Sequence, residues 1–148
     1  MSLELRIQQE LKDAMLAKNE AALRALRAIK AAILLEKTSG RSTDLSPEEE
    51  IKLLQKLVKQ RKESAAIYRS QQREDLARSE EEEITVIEKF LPEQMDEEQL
   101  TGILKNIIEQ TGASGPGALG KVMAVATKEL AGKADNKLIA AIAKKLLG

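Results

Sequence analysis

Residues 115–122 read GPGALGKV, the outline of a phosphate-binding loop G-x-x-x-x-G-K-[ST] with a valine in place of the final hydroxyl. In such loops backbone N–H groups and the lysine hold phosphates, and the hydroxyl binds magnesium. Val122 cannot ligate a metal. Lys121 also belongs to a different pattern. Between residues 112 and 148, Lys121, Lys128, Lys133, Lys137, Lys144 and Lys145 face only Glu129 and Asp135. A lysine surplus of this kind can hold a polyphosphate backbone by displacing its counterions. No aromatic side chain accompanies these lysines, so base stacking is excluded and any RNA would be felt by shape and backbone. Lys121, Lys128, Lys137 and Lys144 lie off the apolar stripes of their segments and are the candidate RNA-binding residues. The plain alternative is a charged face that serves solubility.

Other chemistry is restricted by what the chain lacks. It contains neither histidine nor cysteine. The usual general base near neutral pH, the commonest metal ligand and any thiolate site are therefore missing. The acidic run Glu80–Glu83 is no metal site, because consecutive helical residues point about 100° apart and cannot converge on one ion. A solvated acidic face, paired locally with Arg73 or Arg78, is expected instead. Lys59, Lys62, Ser64 and Tyr68 could supply a lysine–hydroxyl pair only if a lysine were buried with a depressed pKa. On so charged a helix, packing between the two lobes is the expected role of Tyr68. Two further basic stripes, Arg24–Arg27–Lys30 and Lys52–Lys56–Lys59, read as solvated faces, with Lys59 opposite Glu63. No catalytic residue, cofactor, metal or nucleotide is expected.

These side chains need a scaffold, and the composition names it. Ala, Leu, Glu, Lys, Gln and Arg dominate, aromatics are nearly absent, and an all-α fold is predicted. Seven helices can be read. The first follows Ser2, with Leu3, Ile7, Leu11, Ala14 and Met15 on one face, and the second follows Asn19. After the loop at 38–46, Ser46-Pro47 with Glu49 starts a third through a capping box. A fourth should be capped by Asp75 and end at Leu91, before Pro92. Asp96 and Gln99 box the fifth, whose stripe is Leu100, Ile103, Leu104 and Ile107. Leu119, Val122, Met123, Ala126 and Leu130 make the GPGALGKV segment the start of a sixth helix, in which Gly120 permits close packing. Asp135 caps the seventh. A true phosphate loop follows a strand, and here a helix precedes it.

Charge is blocky. Residues 1–73 carry 15 Lys+Arg and 10 Asp+Glu, residues 74–111 carry 3 and 12, and residues 112–148 carry 6 and 2, for a net charge of zero. No apolar run approaches the ~20 residues of a membrane span, and no leader precedes the first helix, so a soluble cytoplasmic protein is expected.

Five segments together resemble one family. KQRKESAAIY (59–68), REDL (73–76), FLPEQM (90–95), LGKVM (119–123) and GKADNKL (132–138) are similar, in order and spacing, to the GatB/YqeY family. The resemblance covers essentially the whole chain and is to the free-standing members. It implies two helical lobes: an extended helical hairpin over 1–92 and a small three-helix cluster over 93–148. It also implies association with glutamine-dependent, carbon–nitrogen-ligating amidotransferases and with tRNA, since the related tail of the amidotransferase B subunit helps to hold tRNA. Asn136 and Gln72 stand where that family commonly has glycine; Asn is the residue that best tolerates the same left-handed conformation, and at Gln72 a tighter or more helical turn between the third and fourth helices is expected. Amide transfer needs a glutaminase nucleophile and a phosphate–magnesium site, and this chain offers neither. An accessory, non-catalytic tRNA-binding module is the expectation; the alternative is a scaffolding domain that docks an amidotransferase or other protein through its charged faces.

Overall fold

Strong local start and stop signals divide the described residues into seven α-helices. In the structure, a computed structural model that describes residues 2–39 and 44–148, these are α1 (Leu3–Leu16), α2 (Glu20–Thr38), α3 (Pro47–Ser70), α4 (Glu74–Glu88), α5 (Glu97–Thr111), α6 (Leu119–Glu129) and α7 (Asn136–Leu147). A short 3₁₀ turn, Pro116–Ala118, leads into α6. The fold is all-α, as the composition predicts. Residues 40–43 of the expected 38–46 loop lie outside the described residues. The chain forms two compact units, Met1–Leu91 and Pro92–Gly148.

In the first unit, Ser2, Asn19 and Ser46 each turn a side-chain oxygen onto a backbone N–H of the helix that follows. Each such cap stabilises its helix by ~0.5–2 kcal/mol. The Ser46–Glu49 box is complete in both directions. Glu50 adds a long-range cap: its Oε2 accepts from the Leu3 N–H at 2.8 Å, tying the start of α1 to α3. Leu3, Ile7, Leu26, Ile29, Leu54 and Ile87 form the centre of the core, each at most 3% exposed. The α3–α4 pair is the long hairpin of this unit, and α2 packs on α4 and α1.

Several local expectations fail here for identifiable reasons. Met15 is 55% exposed although Ala14 beside it is buried, so the apolar face of α1 is narrower in its last turn than the spacing suggests. Asp75 does not cap α4. The helix starts at Glu74, and Asp75 instead holds the Arg73 guanidinium at 3.1 Å. The helix ends at Glu88 rather than Leu91, the last residues before Pro92 tightening into turns. At the α3–α4 turn Gln72 takes φ +61°, the left-handed conformation that glycine adopts without strain. The turn keeps its glycine geometry although the glycine is absent.

The second unit has its own core, centred on Leu100, Leu104, Ile107, Val122, Ala126 and Ile139. The Asp96–Gln99 capping box starts α5, and Gly112 at φ +64° ends it. A clip fixes the entry to the unit. The Met95 N–H donates to the Lys133 carbonyl, and the Gln94 amide donates to the Gly132 and Pro92 carbonyls. Asn136 is the first residue of α7 and has no positive φ, so the left-handed role expected from its match to a glycine falls away. The glycine-like backbone lies at Gly132, φ +75°.

Gly120 also departs from expectation. It is exposed on α6, and an added Cβ would meet no atom within 4 Å. It makes no close helix contact. Gly120→Ala should therefore stabilise the unit by roughly 0.5–1 kcal/mol through helix propensity and the unfolded chain's entropy. A chemical-denaturation midpoint measures this, and a lowered midpoint would reinstate the close contact.

Candidate nucleic-acid interface

GPGALGKV is built as a helix start. Gly115 takes φ +78°, the 3₁₀ turn carries Pro116, and α6 begins at Leu119 with Lys121 in its first turn. The preceding element is α5, and no strand occurs among the described residues. Without a preceding strand or a hydroxyl after the lysine, the segment lacks the setting and the magnesium ligand of a nucleotide-binding loop. ATP or GTP with magnesium should leave the thermal midpoint unchanged; a rise that Lys121→Ala abolishes would contradict this.

The lysines fall into pairs. Lys121 and Lys128 are seven residues apart on α6, and Lys137 and Lys144 seven apart on α7, so each pair shares one helix face about 10.5 Å long. In α6 that face lies opposite the buried Val122 and Ala126, and in α7 opposite Ile139 and Ala143. All four side chains are exposed. Among the described residues, none of them is in ion-pair distance of a carboxylate. The structure thus gathers them two by two on the outward faces of neighbouring helices. Lys133 differs: it is half-buried and lines a cleft of about 300 Å³ with Asn106, Gln110 and Glu129.

The helix ends add to this positive surface. Helices α1 to α5 all carry acidic residues in the first turn, whereas α6 and α7 carry none. Their first turns hold Lys121 and Lys137 instead. In α7 the Asp135 carboxylate occupies that end and accepts from the Lys137 N–H at 2.9 Å, so only α6 combines a first-turn lysine with an end that has no side-chain cap. At α6 the lysine and the helix end attract an anion together. This signal was readable in the sequence once the helix boundaries were known; block charge alone conceals it. Block charge misleads in a second way, because residues 92–148 carry seven Lys+Arg and seven Asp+Glu. The unit is neutral but polarised, with the acids concentrated before and along α5 and the lysines on α6 and α7.

In the first unit Arg24, Arg61 and Arg69 pair with the acids of α4. Glu83, 13% exposed, sits 3.4 Å from Arg61 Nε and 3.8 Å from Arg24 Nε, and Glu82 lies 3.6 Å from Arg24. Arg69 holds both Glu81 and Glu74. The acidic run therefore pairs across helices with Arg24, Arg61 and Arg69, and not with Arg73 or Arg78 as expected from α4 alone. Hydrogen bonding from Arg69 holds the Glu81 carboxyl below the usual carboxylate range. Burial, then the nearby Glu83, pushes Glu80 up. Lys59 does not pair with Glu63 among the described residues. Nor is there among them any group of three or more His, Cys, Asp or Glu able to hold a metal ion. None of their helices is long and apolar enough to cross a membrane.

Comparison with known proteins agrees with the fold and the motifs. The family described as Yqey-like protein matches residues 4–147, and the chain belongs to that family. Among curated relatives, Altered inheritance of mitochondria protein 41, mitochondrial, of Pyrenophora tritici-repentis is 28% identical, over 97% of this chain and 80% of its own length.

Proposed function

We propose that the protein is an accessory module that binds the phosphate backbone of folded tRNA through α6 and α7, works beside a glutamine-dependent amidotransferase, and does no chemistry itself. One observation carries this: four exposed lysines without carboxylate partners, two of them placed in first turns where every other helix has acids. A surface that served solubility alone would gain nothing from a lysine in the uncapped first turn of α6. The amidotransferase connection rests on the family resemblance. The setting we propose is the cytoplasm; the fungal relative bears a mitochondrial name, and tRNA is present in both compartments.

Folded tRNA should bind in a salt-sensitive manner, and a single-stranded RNA of equal length should bind more weakly, because recognition of shape needs the folded backbone. Filter binding or fluorescence anisotropy at low salt reads both. Equal binding of the two RNAs would contradict shape recognition. Absence of binding would turn the charged faces over to the scaffolding alternative.

A further inference from the structure

The N-terminal unit contains a cleft of about 250 Å³ between one face of α1, the start of α2 and the end of α4. Leu26, Val86 and Phe90 give it an apolar wall, and four charged side chains line it: Arg6, Glu10, Asp13 and Lys89. Arg6, Glu10 and Asp13 follow at i, i+4 and i+7 on α1. At 1.5 Å per residue, the carboxylate positions stand about 6 and 10 Å along the axis from Arg6. The Arg6 guanidinium lies over the Phe90 ring, 4.9 Å from its centre, and Lys89 is the next residue in the chain. That contact fixes the cationic end.

Arg6 and Glu10 have the spacing at which helical ion pairs form, yet they do not pair. Among the described residues, none of the four charged groups is in ion-pair distance of an opposite charge. One cleft thus holds a cationic end and an anionic end that the fold leaves unneutralised, joined by apolar surface.

We propose that this cleft binds a short zwitterion whose charges stand several ångströms apart and which carries an apolar side chain for the Leu26, Val86 and Phe90 wall, a free dipeptide. The ligand's carboxylate meets Arg6 and Lys89, and its ammonium meets Glu10 and Asp13. Arginine's planar fork suits a carboxylate better than a single point charge does. The Asn19 side-chain oxygen is committed to capping α2 at the Ala22 N–H, while its amide N–H₂ remains to donate to the peptide group. For a ligand of this size an affinity on the order of 1 mM is expected.

The test is an NMR titration of the full chain with Ala-Leu, N-acetyl-Ala-Leu and Ala-Leu amide. Ala-Leu should give saturable shifts at the cleft, and each blocked peptide, lacking one charge, should bind roughly tenfold more weakly. Asp13→Asn and Lys89→Gln, at exposed positions, should each weaken Ala-Leu binding by a similar factor while the remaining spectrum stays unchanged. Equal binding of the blocked peptides, unaltered binding by both variants, or no saturable shift with Ala-Leu at about ten times the expected dissociation constant would overturn the proposal.

Discussion

Leu104→Ala is expected to destabilise the C-terminal unit by about 2–5 kcal/mol, which would leave α5 to α7 largely unfolded at room temperature. Leu104 is fully buried, and truncation there loses both the transfer energy of its methyl groups and the contacts around the resulting cavity. The unit has fewer than sixty residues, a size at which total stability is itself only a few kcal/mol. Its core shares no residue with that of the first unit. Loss should therefore be local. Amide resonances of α5 to α7 should collapse while those of α1 to α4 persist, with about a third of the helical signal at risk. A loss below about 1 kcal/mol would show that the site collapses onto the cavity and that the core is looser than its burial implies.

The sequence disclosed most of this fold because its signals were redundant. Ser46-Pro47 with Glu49, and Asp96 with Gln99, each combine a cap, a reciprocal acceptor and a following apolar period, and both boxes form. Where only one signal was present, the local expectation gave way. Asp75 looked like a cap, but a neighbouring arginine competes for its carboxylate and the helix starts without a side-chain cap. Gly120 looked like a packing glycine, yet period and composition cannot tell a contact from open solvent, and only the tertiary arrangement does. The partners of Glu81, Glu82 and Glu83 were invisible for the same reason. Arg24 and Arg61 are many residues away in sequence, and a helix-by-helix reading counts only i, i+3 and i+4 neighbours. Of the candidate site, the identity and exposure of the four lysines were legible. Their division into two pairs on two helices, and the absence of acids from those two first turns, needed the helix boundaries.

The lysines' role makes the second large prediction. Each lysine that neutralises a phosphate releases a counterion, so the logarithm of affinity falls linearly with the logarithm of salt concentration. Removing four such contacts should flatten that slope by about 3, at roughly 0.7–0.9 per lysine, and weaken low-salt binding more than a hundredfold. The fold should survive, since none of the four is buried. Variants carrying Lys121→Ala with Lys128→Ala, or Lys137→Ala with Lys144→Ala, should each account for about half the change if both helices meet the RNA.

The most direct measurement is the salt dependence of tRNA binding for the wild-type chain and for the variant carrying Lys121→Ala, Lys128→Ala, Lys137→Ala and Lys144→Ala. A steep wild-type slope that falls by about 3 in the variant, with helical content and thermal midpoint retained, is the predicted result. Identical slopes for the two proteins would contradict it.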